Sequence, residues 1–358
     1  MASYYVREQG ATIHKVDERL VVLKGHKEFA RIPLHQLDQL IVMGNVQMTT
    51  QAMALLLNAG TDVVFMSTTG KMRGRLTADD SKYGELRVKQ LQALTNSATA
   101  LTLAKRIVSG KIANQEAVLT GRNAPAAPAL PGGRALTAQP RQGAGMAEQL
   151  RGMRMMLTSG LAATDADALR GFEGKAATYY WPAFGQLLQR DLGFKGRVYH
   201  PPTDPVNALL SFGYALLQKD VTTAAKLVGF DVYIGFFHTV QYGRPSLVLD
   251  LMEEFRAVVV DAVVLDLVNS GKVTASDFKH DETDGPGVMM KPDALKRVIE
   301  AHEQRLEQIN VYGMTGEQAS LRRCIELQAR QLARVVKGEA EQFMPLQLGR
   351  SGGEGERR

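Results

Sequence analysis

The spacing of apolar positions changes once along the chain. Over the first 80 residues, apolar and β-branched residues come in short runs: Thr12-Ile-His-Lys-Val16, Arg19-Leu-Val-Val-Leu23, Phe29-Ala-Arg-Ile-Pro33, Leu40-Ile-Val-Met43 and Asp62-Val-Val-Phe-Met66. Runs of this length and composition predict strands, the last two of them buried. Lys24-Gly-His26 supplies a turn. Thr49 to Asn58 predicts a short helix, with Thr49 or Thr50 as its cap and Gly60 as its stop. From about Ser81 the segments lengthen, fill with Leu, Ala, Gln, Arg and Lys, and lose their β-branched clusters. They predict helices over 82–96, 98–119, 146–158, 162–189, 204–218, 222–228, 246–269, 291–311 and 316–337. Lys272 to Lys291, with Asp284-Gly-Pro-Gly287 inside it, is the place for a hairpin. The pattern predicts an α+β chain: a small β-rich domain over 1–80 and a larger, mainly α-helical domain over 81–340.

Two segments break the pattern. Gly121 to Gly145 holds Pro125, Pro128, Pro131 and Pro140, and its only charged residues are Arg122, Arg134 and Arg141. Such a composition cannot pack, so a mobile insertion is expected, either a bare linker or a cationic tether touching phosphates. The glycine-rich, charged end over 341–358 is expected to be disordered.

Composition narrows the function classes. The 358 residues are 45% hydrophobic and 22% charged, too apolar for a disordered chain. The nearest candidate for a membrane span, Ala257 to Val268, is broken by Asp261 and Asp266, so no span is expected. The first residues lack a basic segment followed by an apolar one, which makes the cytoplasm the expected compartment. The single cysteine, Cys324, excludes an intrachain disulfide and a cysteine-rich zinc site. A formal net charge of +6 fits a polyanionic partner without requiring one.

Three separated places carry candidate chemistry. In Phe172-Glu173-Gly-Lys-Ala-Ala-Thr-Tyr-Tyr180-Trp181, helical spacing puts Glu173, Ala176, Ala177 and Tyr180 on one face. A carboxylate on such a stripe needs a partner or a metal ion; the plainer alternative is an acid near a helix start that complements the dipole. In Asp231-Val-Tyr-Ile-Gly-Phe-Phe-His238, the histidine precedes a loop with Gly243, Arg244 and Pro245. A neutral imidazole there can bind metal or move protons, or be an ordinary satisfied histidine. In Ser246-Leu-Val-Leu-Asp250-Leu-Met-Glu253-Glu254-Phe-Arg256, Asp250, Glu253 and the later Asp261 share one helical face beside Leu247, Leu251, Phe255 and Val258. This reads as a partly buried anionic site or as a solvated acidic face partnered by Arg256. Brought together, two carboxylates and one imidazole suit Mg²⁺ or Mn²⁺ better than Zn²⁺. The chain lacks His-Glu-x-x-His, Gly-x-x-x-x-Gly-Lys-Ser/Thr and Gly-x-Ser-x-Gly, which disfavours zincins, P-loop ATPases and typical serine hydrolases.

Basic groups make a possible phosphate track. Arg323, Arg330, Arg334 and Lys337 fall on one stripe of the last long helix. Lys71, Arg73 and Arg75 alternate along an extended segment, and Arg87, Lys89, Lys105 and Arg106 add charge on the early helices. Arg244 is a further candidate DNA contact. Each group is equally a solvated face.

Glu173-Gly-Lys-Ala-Ala, Pro205-Val-Asn207-Ala-Leu-Leu-Ser-Phe-Gly-Tyr214, Gly235-Phe-Phe-His238 and Ser246-Leu-Val-Leu-Asp250-Leu-Met-Glu253-Glu-Phe-Arg256 occur in this order. Across nearly its whole length the chain resembles the CRISPR-associated integrase, also called the CRISPR-associated endonuclease of the spacer-acquisition machinery. The resemblance implies a β-domain followed by an α-helical catalytic domain. It implies metal ligation by Glu173, His238 and Glu253, with Asp250 as an acidic neighbour. Where part of the family carries Asp, this chain has Glu253, whose longer reach still allows chelation. Asn207 and Tyr214 match a motif beside the active site, with substrate positioning or a structural role implied. The 121–145 insertion has no counterpart in the pattern. Also implied are a homodimer, a small ferredoxin-like adaptation partner that joins two dimers in a heterohexamer, and DNA partners. The implied reaction is insertion of prespacer DNA at the leader–repeat junction of a CRISPR array by 3′-hydroxyl attack on a phosphodiester. Two other readings stay open: a metal-dependent nuclease of branched DNA without an integration role, and a non-catalytic nucleic-acid-binding scaffold.

Overall fold

The computed structural model describes residues 3–78, 83–121, 144–199, 201–280 and 287–348. The chain divides into two units, Met1–Lys82 and Tyr83–Arg358. The Pro/Gly-rich insertion expected to be mobile lies, between 122 and 143, outside the described residues.

In the first unit, β1 (Ser3–Val6), β2 (Thr12–Val16), β3 (Arg19–Lys24), β4 (Lys27–Pro33), β5 (Gln39–Met43), β6 (Gln47–Met48), β7 (Asp62–Met66) and β8 (Met72–Leu76) form two four-stranded sheets. One has the order β1-β5-β7-β8 and the other β4-β3-β2-β6. Helix α1 (Thr50–Asn58) begins at Thr49, whose hydroxyl accepts the Ala52 N–H at 3.3 Å. Strands β5 and β7 read as continuous apolar runs because both are interior and pair in parallel. Ile13, Leu20, Leu40, Leu56 and Val63 are wholly buried in the core that both sheets share. The edge strands β1 and β8 and the short β6 carry too few apolar residues to be legible. On β8, Lys71 and Arg73 border or hold exposed positions, but Arg75 is buried against Asp62 of β7 at 2.6 Å. This corrects the expectation of three alternating phosphate contacts: register with β7 gives Arg75 a carboxylate partner instead.

The second unit contains α2 (Gly84–Leu94), α3 (Ser97–Leu119), α4 (Ala144–Leu161), α5 (Ala166–Leu187), α6 (Pro205–Val228), α7 (Ser246–Phe255), α8 (Ala262–Asn269), α9 (Pro292–Leu306) and α10 (Leu321–Lys337). Two short hairpins interrupt it: β9 (Phe278–His280) with β10 (Val288–Met290), and β11 (Ile309–Val311) with β12 (Gln318–Ser320). The first is the hairpin expected over 272–291, although 281–286 lie outside the described residues. The fold class is therefore α+β, as the sequence pattern predicts.

Local chemistry explains the helix ends. Asp204 caps α6, with Pro205 in its first turn and Gly229 in the left-handed conformation at its end. Helix α6 runs unbroken where two helices were expected; the Thr222 and Thr223 hydroxyls donate to the carbonyls of Gln218 and Lys219 one turn back, so these residues sit within the helix rather than ending it. Helix α9 stops at Leu306 instead of 311, and α10 starts at Leu321 instead of 316, capped by Ser320. The turn needed by the intervening hairpin includes Gly316 at φ +73°.

The chain end is also corrected. Over 341–348 it is packed rather than disordered: Phe343, Leu346 and Leu348 are buried. The Leu346 N–H donates to Glu254 Oε2 at 2.6 Å and the Leu348 N–H to Asn114 Oδ1 at 2.9 Å. Gly110 of α3 lets this strap lie close, since a Cβ there would meet Pro345 at 2.5 Å. Residues 349–358, also expected to be disordered, lie outside the described residues. Among the described residues no helix is long and apolar enough to cross a membrane.

Candidate active site

Helix α3 packs against both α5 and α7, and the loop between α6 and α7 is tied to α7 through Asp250 and to α5 through Arg170. That loop carries His238, and Asp250 of α7 holds it. Asp250 is fully buried. Its Oδ2 accepts the N–H groups of Phe236 at 2.6 Å and Phe237 at 3.1 Å, and its Oδ1 accepts that of His238 at 2.8 Å. Oδ1 also lies 2.7 Å from His238 Nδ1. A carboxylate only accepts, so Nδ1 carries a proton, and in the neutral ring the lone pair lies on Nε2. Gly235 permits this approach: a Cβ there would come within 2.5 Å of Asp250 Oδ2 and 2.7 Å of the Ser246 carbonyl carbon. Arg170 of α5 donates to the Phe237 carbonyl at 2.7 Å, and Ser246 Oγ to that of Thr239 at 3.1 Å.

The imidazole Nε2 stands 3.8 Å from Glu253 Oε1. Glu253 is buried, and its Oε1 accepts Arg256 Nε at 2.9 Å. Its Oε2 lies 2.6 Å from Lys111 Nζ, outside hydrogen-bond alignment, and among the described residues it receives no hydrogen bond. The Lys111 ammonium also donates to Glu173 Oε1. Lys111, from the middle of α3, thus joins Glu173 of α5 to Glu253 of α7. Burial works to raise the Glu253 carboxyl, but the Arg256 and Lys111 cations outweigh it and bring it down to about 2. Burial likewise works to lower Lys111, yet Glu253 and Glu173 hold it above its ordinary value.

Asp261 sits apart from this group. A six-residue π-helical stretch, Arg256–Asp261, follows α7 and breaks the 3.6-residue count that put Asp261 on the face of Asp250 and Glu253. Its two oxygens accept the hydroxyls of Tyr180 and Tyr214, each at 2.6 Å. Burial pushes its carboxyl up to about 6, against the two phenol hydrogen bonds and the Arg256 and Arg197 charges. The Arg256 guanidinium lies 4.9 Å from the centre of the Tyr214 ring, and that of Arg197 lies 5.5 Å from it.

The structure brings Glu173, His238, Asp250 and Glu253 into one connected group. Glu173 lies in the second turn and beyond of α5, which sets aside the reading of a helix-start acid. Asn207 is corrected as a DNA contact: it is fully buried. Its amide donates to Gly196 O at 2.8 Å and Asp204 Oδ2 at 2.6 Å, and its oxygen accepts Arg197 Nη1 and the Val198 N–H, both at 2.9 Å. It shapes the loop that carries Arg197. The Tyr214 hydroxyl is committed to Asp261. Arg244 is half-buried, with Nη1 3.4 Å from Gln241 Oε1. Arg323, Arg330 and Arg334 are exposed along α10, away from the carboxylate group in sequence and helix. Glu326 lies within their stripe, 2.6 Å from Arg323 and 2.7 Å from Arg330, and offsets part of its charge.

Lys111 is the functional residue that the sequence reading misses. Its signal was there: it follows Ile107 by four residues and Val108 by three, on the buried stripe of α3. A lysine in such a stripe requires a carboxylate partner.

The donor set fits a hard divalent cation. It offers one imidazole, oriented by a carboxylate behind it, and carboxylate oxygens of Glu173 and Glu253, with the Lys111 ammonium 2.6 Å from Glu253 Oε2. Among the described residues no three such side chains stand close enough together to hold an ion as they are. The Lys111 ammonium lies between Glu173 and Glu253.

Residues 4–304 match the family described as "CRISPR associated protein Cas1". A curated relative from Rhodospirillum rubrum, named "CRISPR-associated endonuclease Cas1 2", is 36% identical over 350 residues, covering 95% of this chain and 96% of its own. A relative from Thermus thermophilus, "CRISPR-associated endonuclease Cas1 3", is 35% identical, covering 96% and 94%. Among solved structures, a Cas1 protein from Thermotoga maritima matches with a TM-score of 0.77 at 22% identity over 94% of this chain and 97% of that one. A structure described as a casposase bound to integration product matches with a TM-score of 0.79 at 21% identity over 100% and 96%. At these identities the structural likenesses concern the fold.

Proposed function

The chain belongs to the CRISPR-associated Cas1 family, and from that premise we propose that it is a divalent-metal-dependent DNA integrase and endonuclease of CRISPR adaptation. Its substrates are a prespacer with free 3′-hydroxyls and the leader–repeat junction of a CRISPR array. Its partners are a second copy of the chain and a small ferredoxin-like adaptation protein, in a heterohexamer. The observation that carries the reading is the linked set Glu173–Lys111–Glu253 beside His238, with Asp250 behind the imidazole.

Glu173, His238 and Glu253 are the residues that would hold Mg²⁺ or Mn²⁺, and an ion held there would supply polarisation of a phosphoryl oxygen and charge stabilisation on the attacking or leaving oxygen. The protein's own groups do the rest. Asp250 fixes the orientation of the His238 ring through Nδ1, which leaves Nε2 as the nitrogen that would serve as ligand or proton acceptor. Arg256 neutralises Glu253 and presents its guanidinium beside Tyr214. Tyr180 and Tyr214 keep their protons, since burial raises both hydroxyls well above the ordinary phenol value. Attack by a 3′-hydroxyl exchanges one phosphodiester for another, so no nucleotide cofactor is needed. Water as nucleophile would make the same site a nuclease.

The test supplies a short DNA with free 3′-OH ends, a supercoiled CRISPR plasmid and the small partner protein, under Mg²⁺, Mn²⁺ or chelator. Joined products with either metal, absent with chelator, are expected. Cleavage of branched DNA without joining would instead favour a dedicated nuclease. DNA binding with neither reaction would favour a scaffold.

A further inference from the structure

We infer that Lys111 is the resident cation of the ligand set: its ammonium occupies the place between Glu173 and Glu253 that a divalent ion takes, and the ion enters by displacing it. The inference rests on the metal-dependent reading above and deepens it.

Lysines in the middle of a helix ordinarily extend to water. The Lys111 side chain is only 13% exposed, and its helix neighbours Ile107, Val108 and Ile112 are buried. What keeps it there is two carboxylates from two other helices, Glu173 on α5 and Glu253 on α7. The two oxygens of Glu253 have different partners. Oε1 is held by Arg256 through a hydrogen bond at 2.9 Å. Oε2 faces only the Lys111 ammonium at 2.6 Å and receives no aligned hydrogen bond among the described residues. It is therefore the oxygen most readily given up to another cation.

Around these groups, Glu173 and Glu253 face Lys111, and Glu253 also faces Arg256, so the two carboxylates and two cations balance in formal charge. Removing the ammonium with nothing in its place would leave buried carboxylates facing each other, which is costly. A divalent ion that entered while Lys111 stayed would have to share Oε2 with an ammonium already 2.6 Å away. The two cations are alternatives. Lysine suits an occupant that must leave: its charge sits on a flexible stem and makes no fixed bidentate fork. The ammonium thus keeps the three helices together before metal arrives and sets a threshold for metal uptake.

The test measures Mn²⁺ binding directly, without DNA, from the electron paramagnetic resonance signal of free Mn²⁺ during titration. Wild type is compared with K111M, K111Q, K111R, E173Q and E253Q, and melting is followed with and without Mn²⁺. K111M and K111Q should bind Mn²⁺ at least about fivefold more tightly than wild type, because a competing charge is gone. K111R should bind no more tightly than wild type. Metal-free K111M should melt below wild type and gain more from Mn²⁺. If K111M and K111Q fold only with Mn²⁺ present, that too supports displacement. Failure to fold under either condition, or affinity equal to or weaker than wild type in the folded variants, overturns it. Uptake that E173Q and E253Q leave unchanged would overturn the metal reading as well. Uptake lost in E253Q but untouched in K111M and K111Q would overturn this inference alone.

Discussion

Replacing Asp250 by asparagine exchanges one acceptor oxygen for an amide donor. That donor would have to face the N–H groups of Phe236 and Phe237 or those of His238, all of which now point at the carboxylate. His238 would lose its fixed tautomer. Changes of this kind behind a metal-binding histidine weaken metal affinity by about 10–100-fold. D250N should therefore lose Mn²⁺ affinity by about that factor while its affinity for DNA stays near wild type; titration and gel-shift measurements check the two halves. At this scale the sequence was legible where unlike residues meet on a small or apolar background. Glu173 beside Ala176 and Tyr180, His238 after Phe237, and Glu253 beside Leu251 and Phe255 stood out for that reason. Lys111 did not, because its partners are distant in sequence and one basic residue in a long helix resembles a solvated one. Asp261 was misplaced because nothing in the spacing of Arg256-Ala-Val-Val-Val-Asp261 marks the change from a 3.6-residue turn to a π-helical one.

At the scale of elements, buried charge ties helices together in two further places. Asp220 of α6 lies 2.9 Å from His302 Nε2 of α9, 3.3 Å from Arg322 of α10 and 2.8 Å from Lys219. Burial would raise the Asp220 carboxyl, but Lys219, His302 and Arg322 hold it well below the usual carboxylate range. A depressed carboxyl contributes stability that is present above its unfolded value near 3.8 and is lost as pH falls toward the folded one. D220N should cost about 3–5 kcal/mol, since it leaves buried cations without their carboxylate. Thermal melts should show the gap between D220N and wild type narrowing below pH 4. Glu254 of α7 behaves in the opposite sense. Burial beneath the 341–348 strap pushes it up to about 8, against hydrogen bonds from Gln328 and Leu346. Its contribution is complete below its ordinary value of 4.5 and is lost as pH rises toward 8. Wild type should lose stability relative to E254Q between pH 5 and 8, by up to about 1.4 kcal/mol per pH unit; a pH series of melting temperatures checks it. The sequence made the long helices legible because each repeats its apolar period over several turns, and the interior strands β5 and β7 legible as unbroken apolar runs. It concealed β11 and β12, whose three residues each cannot establish a period, and the strap, whose anchors Phe343, Leu346 and Leu348 follow no helix or strand period and run straight into a glycine-rich charged end.

At the scale of the molecule, the change of apolar rhythm near Ser81 and the division at Lys82 fall at the same place because each unit has its own core. In the first unit, Ile13, Leu20, Leu40, Leu56 and Val63 belong to one buried cluster. A fragment ending at Lys82 should therefore melt cooperatively by itself, which circular dichroism on the purified fragment would show. In the second unit the same economy of parts builds the site: α3 brings Lys111, α5 brings Glu173, α7 brings both Asp250 and Glu253, and the loop before α7 adds the imidazole. The central claim is that Glu173, His238 and Glu253 meet around one divalent cation. Anomalous X-ray scattering from crystals of the whole protein soaked in MnCl₂ tests it most directly. The account predicts a manganese peak bonded to His238 Nε2 and to oxygens of Glu173 and Glu253, with the Lys111 ammonium moved off Glu253 Oε2. Manganese bound elsewhere, with those three side chains still joined through Lys111, would contradict it.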